Sequence, residues 1–234
     1  YQDVFSNYYL VGSTGNSMTP SQGIRKGLIV KLDSTGNIID SIKVPGNQEF
    51  TSFGNIISLA DTQFIITGYR VPTGLTNPLI YVLIIDTAFN IVHENVFGDY
   101  SEYNFSSRVI NGNNDTLYFV GSSYDSQTTQ NYDIIYGKMN LTGDSLFMIK
   151  IGNQTHAQFG FDLLLSNNPS GSNYLFGLGM IYPPNFPLEI LKIYSDATID
   201  TIYEVPVYTT LRTMSSKWIS QETFLVGTSG YQSV

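Results

Sequence analysis

Short apolar runs alternate along this chain with clusters of Gly, Asn, Asp, Ser and Thr, and the runs return at a fixed interval. One run, aromatic and aliphatic residues around a glycine, occurs five times: Tyr8–Ser13, Gln63–Tyr69, Leu117–Ser122, Asn173–Gly177 and Thr223–Thr228. Its glycines stand at 12, 68, 121, 177 and 227, in steps of 56, 53, 56 and 50 residues. A second run follows the first four of these: Leu28–Asp33, Tyr81–Asp86, Ile135–Asn140 and Glu189–Tyr194. A third covers Ile38–Val44, Ile91–Phe97, Leu146–Ile151 and Ile199–Val205, and a fourth Phe53–Leu59, Phe105–Ile110, Phe159–Leu165 and Met214–Ile219. The runs are short, β-branched and bounded by turn residues, so they predict strands and not buried helices. Between the second and third runs lie Ser34–Asn37, Thr87–Asn90, Leu141–Asp144 and Ser195–Thr198, whose Gly, Asn and Asp tolerate the positive φ of tight hairpins.

Four strands in each unit of about 54 residues predict an all-β fold, a β-propeller of four-stranded antiparallel blades. About four repeats are visible in a single domain, 1–234, divided at 8–62, 63–116, 117–172 and 173–222, with a further repeat begun at 223–234. A linear β-solenoid is the runner-up, with repeats that are usually shorter. Tyr1 to Asn7 reads as the tail of a fourth segment, and Phe224 to Ser229 as a glycine strand with nothing after it. The chain is therefore expected to be part of a larger ring, because an open ring leaves sheet faces uncovered unless more blades or a partner cover them.

Composition narrows the partners. Charged residues make up 13% and the net charge is −8, which disfavours nucleic acid and anionic membrane surfaces, both of which call for a basic face. Seventeen Tyr and 14 Phe favour pleated, half-buried surfaces and so argue against a disordered chain. The absence of cysteine excludes disulfides and is neutral on compartment. No run of apolar residues is long enough for a transmembrane helix.

The stretches YYLVGST, GLIVKLDSTGNIIDSIKVPG and FGNIISLADTQFIITGY resemble the propeller repeats of secreted and cell-surface proteins of Bacteroidota, which often carry a C-terminal domain for type IX secretion. Gly12, Lys31, Asp33, Gly36 and Asn37 fit that repeat in the first unit, and Gly121, Lys138 and Gly143 in the third. The Trp that follows the turn in the family is absent, the one Trp being Trp218 in a fourth segment, and no sorting domain is visible. The resemblance implies a propeller and an exported protein at the cell surface, outside the cell or in the periplasm. It implies no catalytic activity.

Chemistry-bearing residues are few. Asp33 with Asn37, and Asp86 with Asn90, hint at a calcium loop, but two side-chain ligands are too few, and a carboxylate accepting turn N–H groups is the favoured reading. His93 and His156 alone cannot build a zinc site, and no Gly-x-Ser-x-Gly or Ser-His-Asp signature occurs. Neither a metal nor a cofactor is expected. Lys31, Lys138 and Lys192 recur at one strand position, where they line a channel or, as favoured, guard an edge or solvated face. The variable loops after the glycine strands, Thr14–Lys26, Arg70–Asn77, Ser123–Tyr132 and Gly179–Pro187, gather on one face of such a fold. Tyr69, Arg70, Tyr124, Tyr132, Tyr182 and Phe186 are the candidate ligand contacts there. The leading expectation is a non-enzymatic exported module for protein–protein contact or surface assembly. Its partner would be another protein or further blades of the same one. A carbohydrate-binding or adhesive module on the same loops, taking polysaccharide, is the first alternative. A glycan-active enzyme with a carboxylate pair is the second.

Overall fold

The computed structural model describes the backbone of residues 1–15, 25–44, 50–60, 62–112, 115–125, 132–152, 157–165, 173–180, 186–193, 198–207, 210–218 and 224–231. Side chains are described within 1–15, 25–44, 50–59, 62–112, 115–125, 132–152, 158–165, 191–193 and 198–200. Every regular element among these residues is a strand. The first three are β1 (Tyr8–Gly15), β2 (Arg25–Leu32) and β3 (Ile38–Val44). Next come β4 (Phe50–Ala60), β5 (Gln63–Val71), β6 (Leu79–Asp86) and β7 (Ile91–Phe97), then β8 (Tyr103–Asn111), β9 (Thr116–Tyr124), β10 (Tyr132–Asn140) and β11 (Ser145–Ile151). Then β12 (Ala157–Leu165), β13 (Asn173–Met180), β14 (Phe186–Ile193) and β15 (Ile199–Val207) follow, and β16 (Thr210–Trp218) and β17 (Phe224–Tyr231) close the series.

Strands pair antiparallel with their neighbours in the chain, which gives the sheets β4–β7, β8–β11 and β12–β15, with β1–β3 before them and β16–β17 after. One parallel pairing, Arg25 with Phe50, formally merges β1–β7 into a seven-stranded sheet. A single pair is a point of contact and not a ladder, so we treat β1–β3 and β4–β7 as successive sheets. Each four-stranded sheet begins on the fourth apolar segment (β4, β8, β12), here termed the leading strand, one strand ahead of the repeat boundaries set on the glycine strand.

Strand periodicity explains the stacking. In β6, Tyr81, Leu83 and Ile85 point to one face and join Tyr9, Ile29 and Val44 of the preceding sheet. Ile80, Val82 and Ile84 point to the other and join Val109, Leu117, Phe119 and Ile135 of the next. A third layer unites Val120, Ile134 and Tyr136 with Leu163, Leu191 and Ile193. The run Leu79–Ile85 is buried throughout, which is why it reads as continuously apolar and not alternating. Each such aliphatic side chain contributes about 1.5–3 kcal/mol on leaving water. The outermost strands β3 and β7 are exposed over most of their length.

One end of the sheets is closed by a recurring five-residue turn. Asp33 Oδ1 accepts the N–H groups of Thr35 and Asn37, both at 2.9 Å. Asp86 does the same for Ala88 and Asn90 at 2.9 and 2.8 Å, and Asn140 for Thr142 and Asp144 at 3.0 and 2.9 Å. Asp3 closes an equivalent turn through Phe5 and Asn7. The fourth residue of each turn has positive φ: Ser6 (64°), Gly36 (90°), Phe89 (63°) and Gly143 (81°). Phe89 tolerates that conformation because its ring is buried against Tyr9, 6.2 Å between centroids. Asp33 and Asp86 are thus spent on their own backbone, as the turn reading holds.

These turns carry a pH dependence. Hydrogen bonds from the Thr35 hydroxyl and from Asn37 hold the Asp33 carboxyl far below its usual range. The Asn90 amide and backbone lower Asp86, and Thr142 and Asn140 lower Asp144. A depressed folded-state pKa gives stability that is complete above the unfolded value, about 3.9 for Asp, and is lost as pH falls through the folded value. Resistance to urea is therefore expected to fall progressively below about pH 4. The double variant D33N/D86N should lose less of its midpoint between pH 7 and pH ~3 than the parent, because Asn accepts the same N–H groups without titrating, as Asn140 does.

The leading strands share a bulge opposite the glycine strand. The register slips between Phe53 and Asn55 in β4, between Ser106 and Arg108 in β8, and between Gly160 and Asp162 in β12. The bulge drives the leading strand's backbone onto the recurring glycine. A Cβ at Gly68 would lie 2.0 Å from Ser52 O, and one at Gly121 would lie 1.8 Å from Phe105 O. Only glycine fits there.

Candidate functional site

At the end opposite the turns, strand ends from four sheets converge in an aromatic band. Arg25 stands over the Phe50 ring at 4.9 Å, and Phe50 stacks on Tyr69 at 5.9 Å. Tyr69 meets Phe105 edge-on at 4.9 Å, and Phe105 meets Tyr103 at 6.5 Å. Tyr103, Tyr124 and Tyr132 sit directly opposite one another across β8, β9 and β10, with ring separations of 5.6 and 4.6 Å. Tyr132 then contacts Phe159 at 4.2 Å, and Phe159 contacts Phe161 at 6.0 Å. Three of these contacts (Arg25–Phe50, Tyr69–Phe105 and Tyr132–Phe159) cross from one sheet to the next and so weld the rim. Each aromatic pair adds about 0.5–1.5 kcal/mol beyond area burial. Burial, with Tyr124 and Tyr103 as neighbours, pushes the Tyr132 hydroxyl above its ordinary value.

A polar cluster abuts the band. Glu102 Oε2 accepts from Ser123 Oγ and from Lys150 Nζ. Lys150 also lies 3.9 Å from Asp99. The buried Asn104 amide donates to Asp99 O at 2.8 Å and Glu102 O at 3.0 Å, which fixes the Gly98–Glu102 loop. Burial raises the Asp133 carboxyl, Lys150 pulls it back and Glu102 pushes it up again. The Glu102–Lys150 pair and its bond from Ser123 tie the Gly98–Glu102 loop to β9 and β11. Just outside it, Leu75 and Tyr100 are exposed on the two rim loops, Tyr100 by 64%, and Asn77 Nδ2 donates to Tyr100 O at 3.1 Å to join those loops.

Of the residues singled out in the sequence, Tyr69, Tyr124 and Tyr132 come together in the band. Arg70 does not join them. It pairs with Glu94 at 3.1 Å and lies 5.0 Å over the Tyr81 ring, where Tyr81 OH also donates to Glu94 at 2.8 Å. Tyr182 lies outside the described residues, and Phe186 opens β14. His156 lies outside the described residues too; His93 Nε2 is 4.0 Å from Asp144. Lys31 and Lys138 are not edge guards, because β2 and β10 are paired on both sides. Lys31 is opposite Tyr9 and 5.5 Å over its ring, and Lys138 is opposite Tyr118 at 5.4 Å. Among the described residues no group of three His, Cys, Asp or Glu could hold a metal.

A row of polar groups that sequence reading missed runs along the leading strands. Asn55, Arg108 and Asp162 occupy one repeat position, each just past its bulge. Asn55 Oδ1 accepts the Val109 N–H at 3.1 Å, and Asn111 Nδ2 donates to Ser58 O at 3.1 Å. Arg108 Nε lies 3.2 Å from Asp162 Oδ1, a charge contact too bent to be a good hydrogen bond. A cleft of about 450 Å³ opens beside this row, lined chiefly by Leu10 and Val11 of β1, Asn55 and Ile56 of β4, and Arg108. Polar residues recurring at steps of 53 and 54 inside apolar runs were the available signal.

No family model matches this chain, and no curated protein is similar to it at a significant level.

Proposed function

We propose that these sheets are consecutive blades of a β-propeller, part of a larger ring, and that the protein is a non-enzymatic binding module whose contact surface is the aromatic rim. The ring reading is supported by the leading strands β4, β8, β12 and β16, which contact each other in sequence, and by the apolar layers that join β1–β3 to β4–β7, β4–β7 to β8–β11 and β8–β11 to β12–β15. An exported, surface-assembly role follows from the Bacteroidota resemblance of the repeats.

The rim carries the binding reading. It combines a rigid aromatic band with exposed Leu75 and Tyr100 and a satisfied polar border, the composition that marks protein contact sites. A protein is favoured over a glycan because the rings of Tyr124, Tyr132 and Phe159 cover one another's faces, and a sugar needs an open face on which to stack.

The test compares the parent with L75D/Y100D at the rim and with L141D at the opposite end, on a glycan array and against the surface-protein fraction of the source cells. A defined protein captured by the parent and by L141D, and lost with L75D/Y100D, is the expected result. Rim-dependent glycan binding, or protein capture indifferent to the rim changes, would contradict the assignment.

A further inference from the structure

The strands that end their sheets on the outer side, β3, β7 and β11, share an irregularity of their own. Leu32 pairs with Ile38 and Lys31 with Asp40, which leaves Ile39 as an extra residue. Ile85 pairs with Ile91 and Ile84 with His93, which leaves Val92 extra. Met139 pairs with Ser145 and Lys138 with Phe147, which leaves Leu146 extra. The bulged residue is a large aliphatic each time, in steps of 53 and 54 residues. Each is more than half exposed, Ile39 by 52%, Val92 by 51% and Leu146 by 59%, and Ile38 and Ile91 just before the first two are exposed as well. We propose that this outer belt of aliphatic side chains is a docking surface for a basic amphipathic segment of a partner protein, distinct from the rim.

A bulge in an edge strand breaks the ladder and discourages another strand from pairing there, a use best served by a polar or charged extra residue. Here the bulge re-aims an aliphatic side chain in three successive sheets. None of the three side chains belongs to the apolar layers between the sheets. Single exposed apolar residues are ordinary, whereas a set at one structural position on neighbouring sheets makes a patch of the kind that marks interaction sites. Contacts between the sheets bring the set together. Asn95 Nδ2 in β7 donates to Asp144 Oδ1 at 3.0 Å, two residues before Leu146. Ile42 of β3 packs against the same apolar layer as Phe89, three residues before Val92. Because the ladder is interrupted at each bulge, the partner is held by side chains and not by strand addition.

The charges around the belt choose the occupant. Asp33, Asp40, Asp86 and Asp144 lie in or beside the turns that lead into these strands. Hydrogen bonds within the turns hold Asp33, Asp86 and Asp144 below their usual range, so they stay ionised at neutral pH. Lys31 and Lys138 on the adjoining strands lie over the rings of Tyr9 and Tyr118, Glu94 is paired with Arg70, and His93 faces Asp144 at 4.0 Å. A second copy of this chain would set the same carboxylates against its own, and an anionic lipid surface would be repelled. A segment with Lys or Arg bordering an aliphatic face satisfies both the belt and the carboxylates. All three strands lie well inside the chain, and the belt depends neither on the rim nor on closure of a ring.

The probe is a synthetic amphipathic peptide of leucine and lysine, titrated into the isotope-labelled 234-residue chain and followed by amide NMR. Saturable shifts centred on Ile39, Val92 and Leu146 are expected, with none from a leucine–glutamate peptide of the same pattern. V92S/L146S, and separately I39S, should leave the melting temperature unchanged, since these exposed side chains lie outside the core. V92S/L146S should weaken the leucine–lysine peptide at least about tenfold. L75D/Y100D, at the rim, should bind it as the parent does. No binding at saturating peptide, shifts that fall elsewhere, undiminished affinity in V92S/L146S, or affinity lost only with L75D/Y100D would overturn the proposal. Equal binding of the glutamate peptide would overturn the basic partner, and self-association abolished by V92S/L146S would overturn it in favour of a second copy of this chain.

Discussion

A single methyl group at Gly121 is expected to cost this protein about 3 kcal/mol or more, among its most damaging conservative substitutions. The added Cβ would stand 1.8 Å from Phe105 O, and its next contacts are also main-chain atoms of β8. A flexible side chain could swing away; a laddered backbone cannot, so the bulge opens or the β8–β9 pairing breaks. G68A should behave likewise, with Ser52 O at 2.0 Å. The internal contrast is G12A, at the same repeat position, where the Cβ meets nothing within 4 Å and the change should be neutral or stabilising by up to about 1 kcal/mol. Urea unfolding of the three variants decides it. Equal losses at all three sites would mean that the glycines serve the unfolded chain or the backbone conformation and not the bulge.

Replacing Arg108 by leucine is expected to destabilise the fold by about 2–3 kcal/mol. Its guanidinium lies against Asp162, whose side chain is only 2% exposed and comes from the next sheet. Removing the cation takes the Arg108 charge away from a buried carboxylate whose Oδ1 also accepts the Leu163 N–H at 2.9 Å. The loss falls at or below the low end of the ~3–5 kcal/mol typical of broken buried pairs, because the Arg108 side chain is itself 39% exposed and water screens part of the field. The double variant R108L/D162L should recover most of the stability, since an apolar pair of suitable volume needs no counter-charge. A double variant no better than R108L would show that the loss does not come from the Asp162 charge.

Both effects arise where sequence reading was weakest. The period, the strand positions and the turn chemistry were legible because each has a local cause. Leu79–Ile85 is apolar on both faces, Asp33 and Asn37 enclose a five-residue turn, and Val44 and Phe97 end strands where they were expected to end. The bulges were not legible, since the extra residue differs each time, as Gly54, Ser107 and Phe161. Their trace lay in the partner strand, as a glycine recurring inside an otherwise apolar run. The grouping of strands was also hidden: a repeat has no intrinsic starting point, and only the pairing shows that sheets begin at Phe50, Tyr103 and Ala157.

The rim was half legible. Tyr69, Tyr124 and Tyr132, singled out as strand ends beside variable loops, come together in the aromatic band. Tyr103, Phe105 and Phe159 were missed because they begin the next sheet's leading strand, far from those loops in sequence and opposite them in space. Arg70 was misplaced by one step of strand alternation, which turns it away from Tyr69 toward Glu94.

Successive sheets stack with their leading strands side by side, so residues 53 or 54 apart in sequence touch. The chain has no cysteine, so two can be introduced without competition. With S58C/N111C, at the pair joined by the 3.1 Å bond from Asn111 Nδ2 to Ser58 O, a short bifunctional thiol cross-linker should bridge the folded protein within one chain. The same reagent should fail on S58C/E94C, which joins a leading strand to an exposed outermost strand. Efficient cross-linking of the first pair alone is the predicted result; no intramolecular product from S58C/N111C in folded protein would contradict the stacking.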